Sequence, residues 1–192
     1  MREIRAIVTE ARAAGEGDDK KVEGLGIIYD QWVELWPRYR EKILRGAVTL
    51  KGVIRSYFNH DPSHVLSTTE SAPALVLKDG EDGLRYSSPI PPTSYGKDLE
   101  VNLERGNVKG SSFSFDVPKR GDKWSEDEDG VIHREIMKLN LYEIGPVTDP
   151  AFVQTTAALR SAQDAVEEFR KSKAPVLRNL AERRQKLARL TG

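Results

Sequence analysis

The chain has 192 residues, in which 30 Lys and Arg balance 30 Asp and Glu, and it contains no cysteine. This length fits one domain with a buried core plus a short appendage. The lack of cysteine excludes disulfide scaffolds, thiolate zinc sites and cysteine nucleophiles. The overall charge points to no partner, although residues 170–192 carry eight basic residues and one acid, Glu182.

No apolar run reaches the roughly 18 residues that a membrane-spanning helix needs. The first residues, MREIRAIVTEARAAG, also lack the apolar centre of a secretory signal. We therefore expect a cytoplasmic protein without a membrane span.

The first half of the chain predicts mostly strands. Alternating residues from Ile4 to Val8, the polar turn GEGDDKK and the segment VEGLGIIYD indicate two strands joined by a turn. Residues 31–49 are more helical or irregular in pattern, with Pro37 breaking any long helix. The alternating, β-branched segment 52–60 predicts a strand that ends in the polar cluster NHDPSH.

The middle of the chain predicts a hairpin and then a helix. Residues 74–90 read as an apolar run, a DGEDG turn and a second strand. Between Ser94 and Gly106, Leu99 and Leu103 share one helix face at a spacing of four residues.

The later segments predict two strands around an acidic loop. VKGSSFSFDVP (108–118) reads as a strand, 121–130 as an acidic loop, and 131–147 as one long strand. The alternation of the long strand puts Leu139, Leu141 and Glu143 on one face, together with Met137.

From Ala157 onward the apolar spacing becomes helical. Leu159, Ala162, Val166 and Phe169 form one stripe, and Leu177, Leu180 and Leu187 form a second after Pro175. We therefore expect a mainly β body with flanking helices (α+β), residues 1–155, followed by a charged, basic helical tail, residues 156–192.

Only three histidines, His60, His64 and His133, are available for base chemistry near neutral pH. His60 follows a predicted strand, at a place where a rigid scaffold presents side chains to a cleft. The alternative, which spacing alone favours, is that NHDPSH is a polar turn in which Asn, Asp and Pro serve turn geometry. Spacing alone leaves both interpretations open.

Two further groups of side chains could take part in catalysis. Ser112 and Ser114 lie inside a predicted strand, opposite Phe113 and Phe115, and could form either a cleft floor or a solvated face. Glu143 continues an apolar row, so it either orients an imidazole or lies where its strand emerges into water.

The sequence gives little support for a metal site or a nucleic-acid-binding site. His60, Asp61, His64 and Glu70 match no established metal-ligand spacing. The basic tail could bind nucleic acid, but it has no interleaved aromatic residues and is more typical of an amphipathic helix. We expect no cofactor or metal.

In chain order, these segments resemble the prohead proteases of tailed bacteriophages. The resemblance lies in REIRAIVTEARAA with VEGLGIIYDQ as an opening hairpin, YFNHDPSHVLSTTESAPALVLKDGEDGLRYSSPIPPTSYGKDL, RGNVKGSSFSFDVPKRGDKW and LNLYEIGPVTDPAFVQT. It covers about residues 1–160 in four ordered blocks. Where the family often has Met and Gly, this chain has Ser111 and Ser114, either of which could be confused with the nucleophile.

The resemblance implies a fold, an activity and a site. The fold would be a small antiparallel β-barrel of the herpesvirus-protease type. His60 would be the general base and Ser112 the nucleophile of a serine endopeptidase. Glu143 is our inference for the third member, with His133 as its competitor in a Ser–His–His arrangement.

The resemblance also implies partners and a location. The substrates would be the scaffold-like segment of the major capsid protein and the protease itself, with self-cleavage around residues 155–175. A homodimer is possible by analogy, and the location would be the assembling procapsid in the bacterial cytoplasm. The alternatives are a catalytically inactive assembly factor of the same fold and, last, a nucleic-acid-binding module.

Overall fold

A computed structural model describes residues 2–7, 11–150, 160 and 162–173, and shows a mainly β protein with two helices. The strands are β1 (Glu3–Ile7), β2 (Arg12–Ala14), β3 (Lys21–Ile28), β4 (Val33–Trp36), β5 (Tyr39–Ile43), β6 (Val48–Tyr57), β7 (Val65–Thr68), β8 (Val76–Asp79), β9 (Gly83–Pro89), β10 (Gly110–Asp116), β11 (Asp122–Glu126), β12 (Ile132–Ile136) and β13 (Leu139–Val147). The helices are α1 (Ser94–Glu104) and α2, described over 162–173. Neither described helix is long and apolar enough to cross a membrane.

The described strands form three sheets. The first has the order β1-β10-β13-β6-β7, the second β11-β12-β5-β4 and the third β2-β3-β9-β8. The expectation of a closed antiparallel barrel is wrong for this part of the chain, because β1 and β7 are both edges of the first sheet and do not pair. The sheets are also not purely antiparallel, since β5 pairs with β12 and β6 with β13 in parallel.

Two bent arms of the chain connect the first and second sheets. One arm runs from β5 into β6 and the other from β12 into β13, and they lie side by side in parallel through the bend. The Leu44 amide donates to the Ile136 carbonyl at 2.9 Å, and the Leu139 amide donates to the Ala47 carbonyl at 2.8 Å. These bonds satisfy backbone groups where the ladder is interrupted, so both arms change sheet at the same place.

The main core lies between the first and third sheets. Phe113, Phe115 and Ile144 of the first sheet are buried in the cluster that also contains Val22 and Tyr86 of the third. Close approach of the sheets depends on glycine in β3. A Cβ on Gly26 would lie 2.1 Å from Ile144 Cδ1 and one on Gly24 would lie 2.7 Å from Ser111 Oγ. The core therefore covers one face of the first sheet, and the side chains that alternate with Phe113 and Phe115 project from the other face.

The structure confirms several predicted elements. Strand β6 covers most of the predicted segment 52–60, and β8 with β9 forms the predicted hairpin, closed by a bond from the Gly80 amide to the Gly83 carbonyl at 2.9 Å. Helix α1 starts after Thr93, whose hydroxyl accepts from the Gly96 amide, as N-cap residues do.

The prediction of helix or irregular structure for residues 31–49 is wrong. These residues form the β4–β5 hairpin, in which Trp36 pairs with Tyr39 across a two-residue turn. Pro37 occupies the first turn position and Arg38 has φ of 70°, the arrangement of a turn with a left-handed second residue. Proline therefore starts a turn between strands and does not interrupt a helix.

Three other sequence predictions need correction. Residues 131–147 are two strands in different sheets, β12 and β13, and part of the predicted acidic loop is strand β11. The two opening strands do not form a hairpin with each other, since β1 pairs with β10 while β3 pairs with β2 and β9. Pairing partners of this kind are set by the whole fold and not by local pattern.

Helix α2 packs on the second sheet. Ala162 and Val166 are buried with Tyr39 and Ile132, and Phe169 packs against this cluster. These three helix residues are the predicted apolar stripe, so its spacing is confirmed over the described residues. Leu159 and the second predicted stripe, after Pro175, lie outside the described residues.

Candidate active site

Ser112 lies at the centre of β10, which pairs with β1 on one side and β13 on the other. Ala6 and Gly145 are its Cα partners on these two strands. Ser112 is 0% exposed. Because side chains alternate along a strand, Ser112 and Ser114 project from the face opposite Phe113, away from the main core. A serine there is held by rigid sheet on both sides.

A β-bulge in β13 decides where Glu143 points. Glu143 pairs with Ser114 and Leu141 pairs with Phe115, so Tyr142 is an extra residue in the ladder. The extra residue reverses the alternation, which puts Leu141 on the core face and Glu143 on the face of Ser112. The prediction that Leu141 and Glu143 share a face is therefore wrong, and the bulge is why a carboxylate can follow an apolar row.

His60 reaches both residues from the loop after β6. Its Nε2 lies 2.5 Å from Ser112 Oγ and its Nδ1 lies 2.7 Å from Glu143 Oε1. The side chains of His60 and Glu143 are 15% and 10% exposed. The structure thus brings together the three residues that the sequence singled out, in the order hydroxyl, imidazole, carboxylate. This order permits proton transfer from the hydroxyl to an imidazole held by an acid.

The Ser112 hydroxyl has a second neighbour, which the sequence did not indicate. Ser112 Oγ lies 2.9 Å from the backbone carbonyl oxygen of Arg5, in edge strand β1. A hydroxyl carries one proton, so it donates either to this carbonyl or to His60 Nε2. Base-assisted attack requires the arrangement in which the proton points to His60.

Asn59 fixes the loop that carries His60. Asn59 and His60 have φ of 56° and 60°, a left-handed conformation that asparagine and histidine adopt more readily than most residues. The Asn59 amide donates to the Pro146 carbonyl at 3.1 Å, and Asn59 Oδ1 accepts from the Thr148 amide at 2.9 Å and from its hydroxyl at 3.2 Å. The loop is thereby attached to the end of β13, the strand of Glu143.

Replacing Asn59 by alanine is expected to lower the free energy of unfolding by about 1–2 kcal/mol, since both bonds to Thr148 are lost and each is worth about 1 kcal/mol. Asn59→Asp keeps the acceptor oxygen and should keep most of the stability. Denaturant and thermal unfolding measure both effects. Asp30→Ala is the matched control, because Asp30 also has positive φ, 55°, but lies in another loop. Equal losses in Asn59→Ala and Asp30→Ala would contradict the prediction.

The other sequence candidates lie elsewhere. His133, on β12 in the second sheet, has its Nε2 3.0 Å from Asp127 Oδ2, and His64 has its Nδ1 3.0 Å from Asp61 Oδ2. Ser111 faces the core, where its Oγ lies 3.1 Å from the Tyr86 hydroxyl. His60 Nδ1 is in contact with Glu143, and neither His64 nor His133 takes the place of that carboxylate. Within the described ranges, no group of three or more His, Asp or Glu side chains could hold a metal ion.

Comparison with known proteins assigns the chain to a family. A family model described as Caudovirus prohead serine protease matches residues 7–171. The chain belongs to this family. The matched range contains His60, Ser112 and Glu143.

The chain is also similar in structure to a solved phage protease. The bacteriophage T4 capsid assembly protease, gp21, is 10% identical in sequence to this prohead protease family member, with a TM-score of 0.48 over 78% of this chain and 98% of the T4 chain. A search of curated proteins found no match.

Proposed function

We propose that this chain is a serine endopeptidase that uses Ser112 as nucleophile, His60 as general base and acid, and Glu143 to hold the imidazole. The observation that carries the proposal is the pair of contacts made by His60, at 2.5 Å to Ser112 Oγ and 2.7 Å to Glu143 Oε1. Family membership supports the same chemistry. Both contacts join residues far apart in sequence, which turn geometry alone does not require.

The proposed reaction proceeds through an acyl-enzyme. Ser112 Oγ attacks the scissile carbonyl carbon while its proton passes to His60 Nε2, and His60 then donates that proton to the leaving amine. Water, activated by His60, hydrolyses the ester and restores the serine. Throughout, Glu143 Oε1 accepts from Nδ1, which fixes the ring and stabilises the imidazolium that forms.

Burial of Ser112 requires a movement before cleavage. Because the residue is 0% exposed, a peptide carbonyl cannot reach its Oγ in the structure as it stands. The loop of His60 and the edge strand β1 are the neighbours that contact the hydroxyl, through His60 Nε2 and the Arg5 carbonyl. Substrate binding would have to displace or reorient one of these.

The proposed substrates are the scaffold-like segment of the major capsid protein and the chain itself, inside the assembling procapsid. For self-cleavage around residues 155–175, helix α2 restricts the choice, since proteases act on extended segments and 162–173 is helical with Ala162 and Val166 buried. We therefore propose cleavage outside this helix or after it undocks. A dimer and a relation to the herpesvirus fold remain predictions.

Intact-mass spectrometry tests this proposal. The wild-type chain and Ser112→Ala are each incubated with the cognate capsid protein, and product masses locate the cleavage sites. Truncation of capsid protein by the wild type alone supports the proposal. Unchanged masses in both samples would instead support a catalytically inactive assembly factor, the alternative that the burial of Ser112 favours.

A further inference from the structure

The hydroxyl of Ser114 is a buried polar group that the proposed reaction does not use. Ser114 lies two residues after Ser112 on β10, is 2% exposed, and is paired directly with Glu143 on β13. No described group lies within hydrogen-bond distance of its Oγ. A buried hydroxyl without a partner costs free energy, so its position calls for a physical reason.

Glu143 offers an acceptor on the same face of the sheet. Its Oε1 lies 2.7 Å from His60 Nδ1, so its second oxygen, Oε2, is not engaged by the imidazole. The residue is buried, with 8% of its surface exposed. A largely buried carboxylate gains from a hydrogen-bond donor that faces it.

The sheet brings the two groups together. Residues directly opposed on antiparallel strands have Cβ atoms about 4.5–5.5 Å apart, and Ser114 and Glu143 are such a pair on the face of Ser112. A serine hydroxyl reaches different directions through three staggered χ1 rotamers without moving the backbone. A rotation of this kind would turn the Ser114 hydroxyl toward the Glu143 carboxylate on the paired strand.

We propose that the Ser114 hydroxyl donates a hydrogen bond to Glu143 Oε2, making Ser114 a positioning residue that acts through Glu143. The inference rests on the proposed function and extends it from three residues to four. Ser114 touches neither substrate nor Ser112. Its effect is greatest in the transition state, when His60 carries a positive charge and Glu143 must face it as an oriented anion.

The alternative role of Ser114, as nucleophile, does not fit these contacts. His60 Nε2 is bonded to Ser112 Oγ, and no contact joins the imidazole to Ser114. An unactivated serine hydroxyl is a weak nucleophile. Ser114 therefore belongs on the carboxylate side of His60.

Three variants of the full chain test the proposal. Ser114→Ala removes the hydroxyl, Ser114→Thr retains it, and Ser56→Ala is the matched control. Ser56 is the other buried hydroxyl without a described partner, and it lies beside Gly145. We expect Ser114→Ala to lower kcat about tenfold with KM changed less than about twofold, the pattern of an interaction made in the transition state. Ser114→Thr should recover most of kcat, and Ser56→Ala should stay near wild type.

A spectroscopic measurement separates this inference from the proposed function. The proton between His60 Nδ1 and Glu143 Oε1 should give a low-field proton resonance, assigned by its loss in His60→Ala, and this needs no turnover. A changed resonance in Ser114→Ala, at unchanged melting temperature, supports the proposal even if the wild type proves inactive. An unchanged resonance, or equal effects of Ser114→Ala and Ser56→Ala, overturns it.

Discussion

Replacing His60 by alanine is expected to lower kcat/KM by about 10⁴-fold or more, the range found when a member of a serine-protease triad is removed. The reason is that Ser112 would lose the imidazole that accepts its proton. Among the described residues its other acceptor is the Arg5 carbonyl, which cannot pass the proton to the leaving amine. Initial rates of capsid-protein cleavage, followed by mass spectrometry or gel densitometry, measure the loss.

The three histidines of the chain provide the controls. His64→Ala and His133→Ala should retain activity within about threefold, since each ring pairs with a local aspartate and His60, not these rings, contacts Ser112. The double variant His60→Ala with Ser112→Ala should be no worse than either single one, because residues acting as a unit are non-additive. Additive losses would mean that the two residues do not act together.

Replacing Glu41 by alanine is expected to destabilise the fold by about 3–5 kcal/mol, as does removing one partner from a buried ion pair. Glu41 is 4% exposed and accepts from Arg5 Nε at 2.7 Å, from Arg134 Nη1 at 3.1 Å and from the Tyr39 hydroxyl at 2.9 Å. Glu3 accepts from both arginines as well. Without Glu41, the buried guanidinium groups of Arg5 and Arg134 would each lose a carboxylate partner, which leaves buried positive charge poorly compensated.

This ion cluster joins β1 of the first sheet to β5 and β12 of the second. Denaturant and thermal unfolding of Glu41→Ala measure the destabilisation, with Asp82→Ala as control. Asp82 makes two bonds to Arg85 at 2.6 and 2.7 Å, but both side chains are about half exposed, so the loss should be much smaller. Similar losses in the two variants would show that burial of the cluster contributes nothing.

The same cluster is expected to make the free energy of unfolding fall at low pH. Burial alone would raise the pKa of Glu41, but the attraction of Arg5 and Arg134 outweighs it and lowers the pKa from 4.5 to about 2. A carboxyl whose pKa falls on folding stabilises the native state above its unfolded pKa. We expect this stabilisation to be complete above about pH 5 and to be lost as the pH falls toward 2, a dependence that Glu41→Gln should reduce.

The cluster also connects stability with the site. Arg5 contributes its side chain to the cluster and its carbonyl to Ser112, so the strand that contacts the proposed nucleophile is fixed by buried charge. Asn59 gives the opposite edge of the site a similar attachment, to Pro146 and Thr148. Neither attachment was predicted, although an asparagine before the histidine of NHDPSH was a local signal that could have indicated one.

The elements that were predicted correctly are stabilised by residues close together in sequence. The β8–β9 hairpin follows from a DGEDG turn between alternating residues, and α1 follows from Thr93 before leucines spaced four apart. His60 and Ser112 could be named because few histidines exist and a block of motifs resembles one family. Residues 31–49 were misassigned because Pro37 has two meanings, helix breaker and turn former, which only the pairing of Trp36 with Tyr39 separates.

Tertiary structure alone decided the features that depend on distant strands. Glu143 faces His60 because the extra residue at Tyr142 reverses the alternation of β13. A bulge exists only in the pairing of two strands, so the sequence of one strand does not reveal it. The division of 131–147 between two sheets follows from its alignment with the β5–β6 arm, about 90 residues earlier. Sequence by itself thus singled out the residues that we propose to carry the chemistry, while long-range pairing decided which of them meet, because strand partners are chosen by the packing of the whole fold.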